Sequence, residues 1–132
     1  MTFQEMVEYR NTHSPHLERL GVLVEEICLG YGRTGKVIGP EDVNPFGTAH
    51  GGVAFSMADS ACASAAASYD QGGFTTVNCT FNFLRSGKIG DKLTAEAHTV
   101  KKGKTIGVFE AEVKNQEGKL IATGTFTFYF LG

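Results

Sequence analysis

The segment Thr48-Ala49-His50-Gly51-Gly52 runs into an apolar stretch that carries one carboxylate, Asp59; no other Asp, Glu, Lys or Arg lies between Asp42 and Asp70. Burying an acid costs stability unless it is hydrated, paired or used, so Asp59 is the first candidate for chemistry. His50-Gly51-Gly52 sits at the turn into a predicted helix. There the first backbone N–H groups lack intrahelical partners and the dipole favours negative charge, so Gly51 N–H, with Gly52 beside it, can hold a developing oxyanion. A carboxylate facing a polarised carbonyl suits acyl transfer to water, either by direct attack to give a mixed anhydride or by deprotonating a water. Asn44 and His50 can fix the loop or hydrogen-bond the reacting group, and Thr76 can orient water or Asp59 from a neighbouring strand. The chain has no Gly-x-Ser-x-Gly elbow, and the helix serines lack a base partner nearby in sequence.

Asp59 lies eight residues beyond Gly51, roughly 12 Å along a helix at about 1.5 Å per residue. One helix cannot bring both groups to one carbonyl. A twofold dimer with antiparallel helices can, because the helix start of one subunit then lies beside the middle of the other. The expectation is two equivalent composite sites, each taking Gly51 N–H from one chain and Asp59 from its neighbour.

The elements that must position these groups follow from periodicity. Phe3, Met6 and Val7 at helical spacing, broken near Ser14-Pro15, predict a short amphipathic helix and a second turn over residues 1–20, packed at the edge of the fold. Val22-Leu23-Val24 and Ile27 predict a first strand, Gly30-Tyr31-Gly32 a turn, Lys36-Val37-Ile38 a weak second strand, and 39–49 a loop. From Gly51 to Ser68 every residue except Val53, Phe55, Met57, Asp59 and Cys62 is Gly, Ala or Ser, a composition that lets other backbone approach the helix axis. Four alternating strands follow. In the clearest, Val77, Cys79, Phe81 and Phe83 are apolar while Thr76, Asn78, Thr80 and Asn82 are polar, which predicts one buried face. Short connections at 101–104 and 116–118 predict antiparallel neighbours. Such a sheet must cover its apolar face, and the helix from Gly51 to about Tyr69 is the long apolar element available. The expected fold class is α+β, one domain over 1–132, with an antiparallel sheet wrapped around a long helix.

Composition narrows the function classes. With 12 basic and 14 acidic residues, net charge −2, the chain has no basic stripe for nucleic acid. Cys28, Cys62 and Cys79 are widely spaced and odd in number, with no Cys-x-x-Cys pair and no secretory leader, which points to a reducing cytoplasm. The uncharged run around Asp59 is too rich in small residues to read as a membrane span. Asn78-Cys79-Thr80 matches a glycosylation sequon inside a strand, a chance match in that setting. His13 and His16 resemble a metal pair only superficially, so no metal is expected.

Asn44 through Asp59, followed by Phe81-Asn82-Phe83-Leu84-Arg85-Ser86-Gly87 and Gly90-Asp91, resembles the hotdog-fold acyl-CoA thioesterases, specifically the phenylacetate-degradation (PaaI) type, from about Leu20 to the C-terminus. The resemblance implies a hotdog fold assembled as homodimers that usually pair into homotetramers. It implies hydrolysis of an aryl, phenylacetyl-type or other small acyl-CoA to free acid and coenzyme A, without a cofactor. The family's catalytic carboxylate maps onto Asp59, its carbonyl-polarising backbone onto Gly51, its helix-entry residues onto Asn44 and His50, and its hydroxyl residue onto Thr76. Hotdog hydratases place an Asp five residues before the His; here that residue is Pro45.

An acyl-CoA thioesterase must hold a phosphorylated nucleotide near its surface. Arg85, Lys88, Lys101, Lys102 and Lys104 are the candidates, set against their ordinary reading as solvated charges. Phe46, Phe55 and Phe74 are candidates for an aryl pocket, set against a core role. Two other readings compete: a hotdog module that binds acyl-CoA without catalysis, and a thioesterase that acts on an acyl carrier protein.

Overall fold

The small side chains of 51–67 decide the architecture, because they let a helix press its backbone onto a sheet. The computed structural model describes residues 1–70 and 72–132. Two short helices come first, α1 (Phe3–Thr12) and α2 (Pro15–Leu20), then strands β1 (Leu23–Cys28) and β2 (Tyr31–Val37). A 3-10 turn at Pro40–Asp42 precedes the long helix α3 (Gly51–Ala67), and β3 (Phe74–Phe83), β4 (Lys92–Lys102), β5 (Ile106–Lys114) and β6 (Leu120–Phe130) complete the chain. The strands form one antiparallel sheet in the order β1-β2-β4-β5-β6-β3. The sheet wraps α3 as expected, and its inner face buries Leu93, Ala95, Ala97, Phe109, Val113, Phe126 and Phe128 against Met57, Ala58, Ala61 and Ala65. No helix among the described residues is long and apolar enough to cross a membrane.

The second strand begins earlier than its sequence suggests. Tyr31-Gly32 reads as a turn, yet both residues pair in β2, Gly32 with Ala97 of β4. The reason is the helix: a Cβ on Gly32 would collide with the Ala61 carbonyl and lie 2.8 Å from Ser64 Cβ. Thr34 then donates to the Met57 carbonyl at 2.8 Å, and Ser68 Oγ accepts from Gly30 N–H at 2.7 Å, so β2 fixes α3 along its length. Gly32→Ala is expected to lower stability by about 1–3 kcal/mol, the range for forcing extra volume into a packed interior, read as a lower Tm.

The buried face expected for β3 is only partly present. Thr76 pairs with Phe128 and Asn78 with Thr127, so Val77 is an extra residue in a β-bulge. The bulge re-phases the strand. Before it Phe74 and Thr76 face the helix side; after it Cys79, Phe81 and Phe83 oppose the inward residues Phe126, Gly124 and Ala122. Val77, expected inside, is 54% exposed, and Phe83, at the strand end, is 62% exposed. β3 is also an edge strand, with one side of its ladder unpaired in the single chain.

Candidate active site

The loop before α3 is built by its own polar side chains. Asn44 Oδ1 accepts from the N–H groups of Phe46 and Thr48 at 3.0 and 3.2 Å, and its Nδ2 donates to Thr48 Oγ1 at 3.1 Å. This spends the Asn44 amide on loop geometry. Asp42 anchors the other side: its carboxylate accepts from Gly39 N–H at 2.8 Å and pairs with Lys36 at 3.0 Å, both side chains buried, while its carbonyl accepts from His50 N–H at 2.7 Å. A buried pair of this kind is costly to break from one side. The Lys36–Asp42 pair was not singled out from sequence. Its signal was weak, because a lone Lys in a strand and an Asp in a loop are ordinary surface choices.

His50 caps the helix. Its Nδ1 accepts from Gly52 N–H at 2.9 Å and its carbonyl from Val53 N–H at 3.0 Å. An accepting Nδ1 requires the proton of the neutral ring to sit on Nε2, so His50 serves as a cap with one remaining donor. Gly51 N–H has no hydrogen-bond partner among the described residues. It belongs to a cavity of about 380 Å³ lined by His50, Gly51, Ala54, Phe83, Arg85 and Gly87, between the helix start and the chain after β3. Ala49 N–H donates to the Gly87 carbonyl at 2.9 Å, which ties that segment to the helix entrance.

Asp59 opens elsewhere. It is half-buried, accepts from Thr76 Oγ1 at 3.3 Å, and lines a separate cavity of about 260 Å³ with Arg10, His16, Phe55, Ser56 and Ser60. Burial pushes its pKa up, and the Thr76 hydroxyl, the Arg10 guanidinium and His16 pull it back. The bulge at Val77 is what aims Thr76 at the carboxylate. Within one chain, Gly51 and Asp59 therefore face different spaces, as the helical spacing requires. Cys62, one turn past Asp59, is fully buried; burial and the Asp59 charge push its thiol up, which suits an inert core residue.

The other predicted site residues scatter. Phe55 lies at the Asp59 cavity with its ring 5.2 Å from that of Phe81. Phe74 packs on Phe128 at 5.5 Å and lines a neighbouring cavity with Arg10. Phe46 is 91% exposed on the loop and meets neither. Arg85 is at the Gly51 cavity. Lys88 lies in the turn held by its own N–H donating to Asp91. Lys101 and Lys104 are exposed at the β4–β5 hairpin, and Lys102 sits over the Phe130 ring at 4.3 Å, a cation–π contact within the fold. His13 stacks on Tyr9 while His16 Nε2 meets Ser56 Oγ at 3.3 Å, so the two imidazoles serve different partners. No group of three His, Cys, Asp or Glu converges among the described residues.

Sequence reasoning placed the N-terminal helices at the edge of the fold, and α1 does pack on the edge strand β1. It missed that they also supply Arg10 and His16 to the Asp59 cavity. For Arg10 a signal existed: it continues the stripe Phe3, Met6, Val7 at helical spacing, so it is a charge on an apolar face.

Residues 46–122 match the family model described as Thioesterase superfamily. The chain is 32% identical over 119 residues to the acyl-coenzyme A thioesterase PaaI of Escherichia coli K12, covering 86% of this chain and 84% of that one. It superposes on the structure of the E. coli PaaI protein from the phenylacetic acid degradation operon with a TM-score of 0.91 at 30% identity, over 98% of this chain and 93% of that one. A hypothetical thioesterase from Streptococcus pneumoniae solved with coenzyme A matches at a TM-score of 0.79 and 28% identity, over 84% and 86% of the two chains. The chain has the hotdog fold and belongs to the thioesterase superfamily, as a thioester hydrolase.

Proposed function

We propose that this chain hydrolyses acyl-CoA thioesters, of aryl or phenylacetyl type or with another small acyl group, to the free acid and coenzyme A, as a cytoplasmic enzyme of phenylacetate degradation. In this reading the active unit is a homodimer, itself paired into a homotetramer, and each site is composite. Gly51 N–H of one protomer polarises the thioester carbonyl at the helix start. Asp59 of the other protomer either attacks that carbonyl or takes a proton from the attacking water, and the coenzyme A thiolate leaves. His50 and Asn44 hold the helix entrance, and Thr76 holds the carboxylate. The chemistry needs a carboxylate, a backbone donor and water.

The observation that carries this reading is the division of the two reactive groups between separate cavities of one chain. The edge strand β3 supports the assembly, since it ends the sheet with an open ladder and exposes Val77 and Phe83; pairing would satisfy both. Coenzyme A bound to the streptococcal relative supports that carrier for this chain. Arg85 at the Gly51 cavity is the best placed of the cations for its phosphates.

The experiment is release of free thiol from a panel of aryl and straight-chain acyl-CoAs, run beside the same acyl groups on an acyl carrier protein. Turnover of the CoA thioesters, with aryl members among the best, is the expected result. Turnover confined to the carrier-protein donors, or to neither, overturns it. Light scattering on the same sample reads the assembly.

A further inference from the structure

We propose that Arg10 is a positioning residue of the hydrolytic site: from α1 its guanidinium keeps the Asp59 carboxylate charged and in place across the cavity that the two share. The inference rests on the reading of Asp59 as the reactive carboxylate. It starts from two groups that each lack what burial demands. Arg10 Nε is closed off from solvent and has no hydrogen-bond partner, and no carboxylate lies within ion-pair distance of its guanidinium among the described residues. Asp59, for its part, receives a single side-chain hydrogen bond among the described residues, from Thr76. A half-buried cation and a half-buried anion that both line one small cavity interact through a medium that screens less than bulk water.

The surroundings leave few competing charges. From α2, His16 faces Asp59 and is occupied with Ser56. From β3 the neutral Thr76 faces it, and on α3 itself Cys62 is a buried thiol whose own pKa is raised. On its far side Arg10 borders a second cavity with Tyr9, Asp70 and Phe74, so Asp70 is the other acid among the described residues that lines a cavity with it. The guanidinium keeps its proton throughout the working range. A contact ion pair would tie up the Asp59 oxygens. Attraction across open space leaves them available to water or to a carbonyl.

The sign of the effect follows. Burial raises the Asp59 pKa, and Arg10 opposes that rise. Without the guanidinium the carboxylate takes up its proton at higher pH, so activity is lost from the acid side. Arg10→Met keeps the apolar stem and removes the charge; Arg10→Lys keeps the charge. The pH profile of kcat/KM for wild type and both variants is the test, with Tm confirming that each is folded. Arg10→Met is expected to move the acid limb upward by roughly one pH unit. Activity then falls about tenfold near the wild-type limb and within about threefold at pH 9, and Arg10→Lys restores the limb most of the way. A uniform loss at every pH, or a limb that stays in place, overturns the proposal. Should Arg10→Met fail to fold, Arg10→Gln carries the same test. Titration of the 13C-labelled Asp59 carboxyl, assigned with Asp59→Asn, reads the same shift without substrate. It therefore separates failure of this inference from failure of the hydrolase reading, which shows instead as wild-type protein inactive on every thioester.

Discussion

Asp59→Asn is expected to fold as the wild type does and to lose hydrolysis by roughly a thousandfold or more, toward the upper end of what one proton-transfer group supplies. The substitution keeps the shape and the ability to accept from Thr76, and it removes the charge. The structure gives this variant a second signature. Because burial raises the Asp59 pKa above its unfolded value, the charged carboxylate opposes folding. A group shifted this way contributes its full share of stability below the unfolded pKa, and that share is lost as pH rises through the folded one. Asp59→Asn is therefore expected to match or exceed the wild-type Tm at pH 8. The gain should shrink as pH falls toward the ordinary carboxylate range. Thermal scans at pH 5 and pH 8 beside the thiol-release assay check both signatures. An active variant sinks the mechanism, and an inactive one with a sharply lowered Tm assigns Asp59 a structural role instead.

That a residue can weaken the fold and still be placed with care explains why the site was legible. A lone acid in an apolar helix breaks the local rule of burial, and such breaks concentrate where function demands them. His50-Gly51-Gly52 announced a helix start for a similar reason: two glycines at the beginning of a helix are poor helix formers, and Gly51 sits with an unpartnered N–H against Phe83. Strict alternation holds in β4, β5 and β6, where Leu93, Ala95 and Ala97, then Phe109, Ala111 and Val113, then Phe126, Phe128 and Phe130 are buried between more exposed neighbours.

It failed at Val77 because a bulge inserts one residue without disturbing the pattern of residue types. Thr75 and Thr76 are equivalent as letters, and only the pairing with Phe128 shows that Thr76 turns inward. The start of β2 was hidden by the same kind of ambiguity. Gly32 signals a turn and close backbone packing equally well, and the distance to Ala61 and Ser64 decides between them. Arg10 was hidden differently: its role depends on the fold bringing it to a cavity that it shares with Asp59, nearly fifty residues further along the chain.

The backbone half of the site can be tested at a single atom. Gly51→Pro removes the N–H that polarises the carbonyl in the proposed mechanism and little else. It stands at the first helical position, where proline is well tolerated because that N–H has no intrahelical partner. The preceding His50 has φ −64° and ψ 135°, the extended conformation a proline requires before it. The added Cβ approaches Phe83 Cε1, at the far end of that side chain, at 2.7 Å, so the ring must shift slightly. Hydrolysis is expected to fall about 10²–10³-fold, as for loss of one oxyanion donor, with the Tm retained.

The informative step is then to co-express Gly51→Pro with Asp59→Asn. If each site takes its N–H from one protomer and its carboxylate from the other, a mixed dimer holds one site with both defects and one site with neither. Random pairing makes half the dimers mixed, so two nearly inactive proteins together recover about a quarter of wild-type activity. If N–H and carboxylate belonged to the same chain, every site would carry one defect and mixing would recover nothing. Recovery near a quarter requires the antiparallel pairing that the helical spacing demands, because no arrangement within one chain gives an intact site from two broken copies.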